Sequence, residues 1–470
     1  MNLQAVLLAL YSAALIVLGL WLGRRVRTSA DFFVANRHLG PVLLGSTMLA
    51  ANIGAGSTVG AAGLAYRVGV SAWWWVGSAG IGSLVLALWV GPRMRREAAR
   101  LGLSTVGDYL EYRYGREVRG IVAVLLWVAT LTILAGQLIA VALILHQVAG
   151  VPHAMGAILG GLVMTTYFTA GGLLASAWVN AVQLVVLLAG FIVVIPVAIR
   201  VGGGWGQVAA ALPGGNFWNI WQGDGSGVML LAMLGPSFII SPGLLQKVYG
   251  ARDDRAVRWG VGANAVGLLL FACLPTLLGM VARARFPNLP DPQLALPMML
   301  TRELPAVIGS LGLAAVLSAE ISTCDAILFM LATSLSQDLY RRFVNPVASD
   351  RAVLNVARGA AIVGGVLGIA IAIANPSIIG TLTIFYTLLT VILFVPVIAG
   401  LYSRRVGTPE ALSSIGAGLA TVLAIQLSSD GRGFGLLTPA VAGLLAALAG
   451  FGLTALVRSL TGEKRARTAF

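Results

Sequence analysis

Along this chain long apolar runs alternate with short polar stretches from end to end. Runs of about 20 apolar residues, coiled at about 1.5 Å per residue, match the thickness of a bilayer core. The pattern predicts about 13 membrane-spanning helices, over 3–22, 41–66, 71–91, 120–147, 154–172, 177–199, 227–245, 257–282, 306–337, 353–373, 377–402, 410–427 and 439–457. The expected class is therefore an all-α integral membrane protein. Trp73, Trp74 and Trp75 open the third run and read as interfacial aromatic anchors. Between the third and fourth, TVGDYLEYRYG (Thr105 to Gly115) predicts an amphipathic helix on the cytoplasmic side, and Gly171 and Gly172 predict a short turn between the fifth and sixth.

Two runs are poor helices at the depth where a helix should be strongest. The second is centred on AANIGAGSTVG (Ala50 to Gly60), where Gly54, Gly56 and Gly60 with Asn52 and Ser57 weaken the coil. The seventh reads LGPSFIISPGLLQK (Leu234 to Lys247), and Pro236 and Pro242 each remove a donor and crowd the preceding turn. Irregular backbone is tolerated at membrane depth only where protein encloses it or it lines a cavity. The two interruptions lie five runs apart, an odd number, so the second half enters from the opposite face. Broken helices in corresponding positions of two halves point to an inverted-repeat transporter with its site at the midplane. The expected organisation is an N-terminal helix and linker (1–40), a first five-helix repeat (41–200), an external loop with a surface helix (201–226), a second repeat (227–405), and two peripheral helices with a basic tail (406–470).

The ninth run contains AEISTCD (Ala319 to Asp325). At about 100° per residue, Ala319, Ser322 and Thr323 share one face within one turn, so a carbonyl and two hydroxyl oxygens converge as a hard-cation site. Glu320 and Asp325 flank that face on opposite sides. A carboxylate at a helix centre costs about 2.5–3.5 kcal/mol on insertion scales, so both acids face a water-filled cavity, polar protein or a transported cation. Further candidates are Gln137 in the fourth run, Asn180 with Gln183 in the sixth, Ser237 and Ser241 in the seventh, and Phe385 with Tyr386 in the eleventh.

Composition narrows the function. The chain has 470 residues, 58% of them hydrophobic and 10% charged, which no soluble class matches. The formal charge of +14 does not mark a nucleic-acid surface. Its clusters RRVR (24–27), RMRR (93–96) and EKRAR (463–467) are short and flank apolar runs. Placing the N-terminus outside puts most Lys and Arg in the cytoplasm, as the positive-inside rule requires, with the C-terminus cytoplasmic in the plasma membrane. Cys273 and Cys324 lie in apolar runs, so no disulfide framework is implied. Three histidines without ligand spacing, no phosphate-binding loop and no nucleophile–base pair argue against an enzyme or an ATP-driven pump. No obligate protein partner is evident.

The chain also resembles the sodium/solute symporters, which include sodium-coupled sugar, proline, pantothenate, sialic acid and choline carriers. The resemblance runs from about Ser29 to Tyr340 and rests on ADFFVANRHLG (30–40), AANIGAGSTVG (50–60), DYLEYRYG (108–115), YFTAGGLLASAWVNAVQ (167–183), QKVYGARD (246–253) and AEISTCDAILFMLATSLSQDLY (319–340). It implies a LeuT-type core with discontinuous first and sixth core helices. It also implies sodium held by the carbonyls of Ala50, Ile53 and Ala319 and the hydroxyls of Ser322 and Thr323. Asn180 stands where the family often has an Asp that serves a second cation in some members. Glu320 stands where an aliphatic residue is usual, and Ser237 and Ser241 replace the aromatic and amide residues of sugar carriers.

These readings predict sodium-coupled symport of a small organic solute by alternating access, with Asn52, Ser57, Gln137, Ser237, Ser241 and Phe385 as solute contacts. A proton-coupled variant would use Glu320 and Asp325. A membrane solute sensor of the same fold is the rival, though the tail after Val457 is short for a signalling domain. No basic group is expected at membrane depth, so the expected solute is a zwitterion, a cation or a neutral metabolite.

Overall fold

The structure, a computed structural model, describes residues 3–23, 39–221, 227–403 and 406–461, with the backbone alone for 16, 18–23, 167 and 169–178. Most of the 30–40 motif, the 24–27 cluster, the Arg404–Arg405 pair and the 463–467 tail lie outside the described residues. Within them the architecture is helical. Ten helices are long and apolar enough to cross a membrane, and two shorter apolar ones span Leu3–Leu15 and His153–Thr166. Among the described residues that measure does not confirm the expected count of 13.

Both expected breaks are present. Helix α1 (Leu3–Gly23) is followed by α2 (Pro41–Asn52). The chain then leaves the helix at Ile53, with φ −101° and ψ 100°. It resumes in a widened turn, Gly56–Gly60, that runs into α3 (Ala61–Val68). Gly69, at φ +69°, redirects it towards α4 (Trp73–Val85). After α5 (Gly91–Leu101), α6 (Val106–Tyr114), α7 (Arg116–Ala149) and α8 (His153–Val201), the second broken helix comprises α9 (Gly227–Ile240) and α10 (Pro242–Tyr249), parted at Ser241. It is followed by α11 (Asp254–Phe271), α12 (Cys273–Arg285) and α13 (Ala306–Thr333), which continues as a widened helix to Val344. The last four helices are α14 (Asp350–Ala374), α15 (Ile378–Tyr402), α16 (Thr408–Ser429) and α17 (Pro439–Leu460).

Each broken helix packs on the helix that follows its counterpart: α2 on α11, and α9 on α4. That exchange is what an inverted repeat produces. Both contacts are close because glycines make them. A Cβ on Gly45 would stand 2.9 Å from the Gly260 carbonyl oxygen, and one on Gly82 only 2.3 Å from that of Gly235. Removing Cβ atoms lets membrane helices approach backbone to backbone. A two-bond bridge, Leu39 N–H to Gly250 O and Arg252 N–H to Leu39 O, both 3.0 Å, ties the start of the first broken helix to the end of the second. Helix α13 lies on α8, α7, α2 and α10, and α16 and α17 pack on each other and on α15.

Two local expectations are corrected. Trp74 and Trp75 are buried rather than interfacial. Trp74 Nε1 donates to the Ile220 carbonyl at 2.8 Å, and the Trp75 ring meets Tyr386 edge-on at 6.2 Å. The Trp74 N–H thus finds its acceptor inside the protein, which removes the advantage of the headgroup layer. The turn at Gly171 and Gly172 is absent; the backbone is helical throughout α8, 49 residues long. Two glycines at about 1 kcal/mol each do not break a run otherwise rich in Ala and Leu.

The expected amphipathic helix forms as α6, started by a capping box in which the Thr105 side chain accepts from Asp108 N–H. It anchors an ionic cluster. Buried Arg119 meets Asp108 at 2.8 Å, Glu111 at 2.9 Å and Asp338 at 2.8 Å, and Arg342 also pairs with Glu111. Burial raises the Glu111 carboxyl, but bonds to Arg119 and Arg342 outweigh it and hold the carboxyl below the usual range. Stability from this group is present above its unfolded pKa and is lost as pH falls through the depressed folded value. Melting of the purified protein should therefore drop on acidification below the normal glutamate range, and less so in Glu111→Gln.

Candidate functional site

The break in the first broken helix faces the middle of α13. Ser322 Oγ lies 2.8 Å from the Ala50 carbonyl oxygen and 3.1 Å from that of Ala319, and Thr323 Oγ1 lies 3.1 Å from that of Ile53. All five oxygens expected of a sodium site are thus drawn together from two elements, and all five residues are buried. Ala319, Ser322 and Thr323 share a face because of helical periodicity. Ile53 reaches them because the helix ends there, its extended ψ turning the peptide plane outwards. The donor set is neutral oxygen, which suits a hard cation. No group of three or more His, Cys, Asp or Glu that could hold a metal gathers among the described residues.

Gly54 makes the approach to α13 feasible. A Cβ there would lie 2.5 Å from Gln137 Oε1, 2.6 Å from Thr323 Oγ1 and 2.8 Å from Thr323 Cβ. Gln137, expected as a solute contact, is committed to this turn: its Oε1 accepts the Ala55 N–H at 2.8 Å. Gly54→Ala must push α13 away, and overpacking of this kind costs about 1–3 kcal/mol. We expect it to weaken sodium-dependent stabilisation by about tenfold while the protein still purifies as a monodisperse species, as a sodium titration of melting temperature would show.

The acids flanking the face part company. Glu320 is wholly buried, and its Oε1 accepts from the Thr58 hydroxyl at 3.0 Å. Asp325, 2% exposed, attracts the ammonium of Lys247. Asn180 is buried on α8 beside Gln183, whose amide has no hydrogen-bond partner among the described residues.

A central cavity opens between the two breaks. Asn52, Ser57, Gln137, Ser237, Ser241 and Phe385, the six expected solute contacts, all line it, with Thr323 on its wall. Some are engaged already. Asn52 Nδ2 donates to Asn264 Oδ1 at 3.0 Å, Ser57 Oγ to the Asn52 carbonyl at 3.1 Å, and Ser237 Oγ meets Thr390 Oγ1 at 2.6 Å. Phe238, Phe385 and Tyr386 form an aromatic side, with Tyr386 5.6 Å from Phe238 and 5.2 Å from Phe385. Lys247 also lines the cavity, 6% exposed, with Nζ donating to the Thr47 carbonyl at 2.8 Å. This corrects the expectation that no basic group lies at depth. Lys247 follows the seventh apolar run and reads as a flanking cation, but the break at Ser241 turns α10 inwards beneath the cavity.

Known proteins are similar to this chain. The human sodium/iodide cotransporter is 27% identical over 451 residues, 88% of this chain and 68% of that protein. The sodium/pantothenate symporter of Escherichia coli strain K12 is 26% identical over 444 residues, 89% of each. A solved structure of a Na+-coupled sialic acid symporter, substrate-bound and outward-open, superposes with a TM-score of 0.81 at 19% identity, covering 97% of this chain and 98% of that one. Its likeness establishes the LeuT-type fold. The sodium:solute symporter family model matches residues 32–418, and with that match over most of its length this chain belongs to the sodium:solute symporter family.

Proposed function

We propose that this multi-pass membrane transporter couples inward sodium flow to uptake of a small organic solute by alternating access. The observation that carries the reading is the five-oxygen cage, whose ligands divide between the interrupted helix and α13. Sodium shared between them favours the arrangement in which the two elements touch and Thr323 shapes the cavity wall. Loss of sodium to the cytoplasm frees α2 to swing away and opens the cavity inwards.

One sodium supplies enough driving force. About 2.3 kcal/mol from ~100 mV and about 1.4 kcal/mol from a tenfold gradient support accumulation of several hundredfold. The second cation position, weakened by Asn180, is not required. Among its described lining residues the cavity has one basic side chain, Lys247, and no acid. A cationic solute meets no carboxylate there, only aromatic faces and neutral polar groups. The solute is neutral, zwitterionic or carries a carboxylate, and it sits between the Asn52–Ser57 and Ser237–Ser241 breaks with its apolar part against Phe238 and Phe385.

A metabolite screen by thermal shift, with and without sodium, identifies the solute, because a ligand that binds the folded carrier raises its apparent stability. Uptake into proteoliposomes is then expected to collapse when external sodium is replaced by potassium. Uptake that survives the replacement and instead follows a pH gradient would transfer the coupling role to protons.

A further inference from the structure

Glu320 lies beside the cage with no cation in contact with it among the described residues. Its Oε1 accepts from Thr58, while Oε2 is buried with no partner among the described residues. Asp325, the other acid of this helix segment, has Lys247 as its electrostatic partner. A buried carboxylate without compensation is costly enough that such groups are found paired or beside cations. Such a group either takes a proton or draws a cation from outside the described side chains.

Its place in the fold says from where. Glu320 follows Ala319, whose carbonyl belongs to the cage. The Thr58 hydroxyl that meets Glu320 also lies 3.0 Å from the carbonyl oxygen of Gly54, the residue after Ile53, whose carbonyl belongs to the cage as well. The carboxylate is thus fastened to the same two backbone segments that hold the five oxygens, one residue beyond the cage on each. Those five oxygens carry no formal charge. We propose, on the sodium-coupled reading above, that Glu320 is the fixed counter-charge of the transported alkali cation, supplying the negative charge that the neutral cage lacks and setting sodium affinity through space. Its role is electrostatic positioning rather than ligation.

The test uses the purified full-length protein in detergent, titrated with sodium chloride against N-methyl-D-glucamine chloride at constant ionic strength, with thermal stabilisation as readout. Glu320→Gln keeps an oxygen for Thr58 and removes the charge; its sodium midpoint should rise by about tenfold or more. Glu320→Met removes charge and polarity together, serves if the Gln variant does not fold, and should rise as far. Glu320→Asp and Thr58→Val keep the charge while disturbing the contact, and both should stay within about threefold of the parent. A Gln or Met midpoint within about twofold of the parent overturns the proposal, as does a Thr58→Val loss as large as that of Glu320→Gln, which would make Glu320 a brace. A parent protein that potassium stabilises as well as sodium would instead overturn the sodium-coupled reading itself.

Discussion

Thr323→Val will cripple sodium-driven accumulation at ordinary sodium concentrations while leaving the protein folded. The substitution keeps the branched shape but takes one of five oxygens from the cage and leaves the Ile53 carbonyl, now 3.1 Å from Thr323 Oγ1, without its partner. Losing a buried polar partner costs about 1–3 kcal/mol, and each 1.4 kcal/mol is tenfold in affinity, so sodium half-saturation should rise by about tenfold to a hundredfold. Ser322→Ala should be at least as severe, because its hydroxyl meets two carbonyls, those of Ala50 and Ala319. The double variant should accumulate nothing above its equilibrium level. Counterflow, which needs no gradient, separates loss of coupling from loss of solute binding. A Thr323→Val protein with parental sodium dependence would remove the cage from the mechanism.

Arg119→Met is expected to have the largest effect on stability. Arg119 stands among Asp108, Glu111 and Asp338, with its side chain 7% exposed. Asp338 also accepts from Thr105 Oγ1 at 2.6 Å. Removing the one cation shared by three acids leaves uncompensated negative charge in a partly buried site, a change that costs up to about 3–5 kcal/mol. The cluster joins α6, the first turn of α7 and the far end of α13, so its loss should loosen one end of the bundle while the sodium cage stays intact. Melting temperature should fall sharply in Arg119→Met and recover in part in Arg119→Met with Asp338→Asn, which removes one stranded charge. Equal melting of the single and double variants would show that the acids are solvated and that the cluster holds nothing together.

The hydrophobic pattern was informative where the physics is local. Membrane runs, glycine-weakened AANIGAGSTVG and proline-broken SPG each act on their own backbone, so both breaks were legible. The convergence of Ala319, Ser322 and Thr323 was legible too, since periodicity alone places them together. Family resemblance, not periodicity, supplied Ala50 and Ile53. Trp74 and Trp75 were misread because a tryptophan at the end of an apolar run looks the same whether its N–H finds a headgroup or the Ile220 carbonyl.

What the sequence determined by itself is therefore the membrane class, the two interrupted helices and the oxygen-bearing face of α13, all consequences of forces acting within a few residues. Only the tertiary structure decided that Lys247 lines the cavity and that Glu320 meets Thr58. Charge compensation in a low-dielectric interior depends on distance through space, and residues 262 apart in the chain, as Thr58 and Glu320 are, carry no local signal of their meeting.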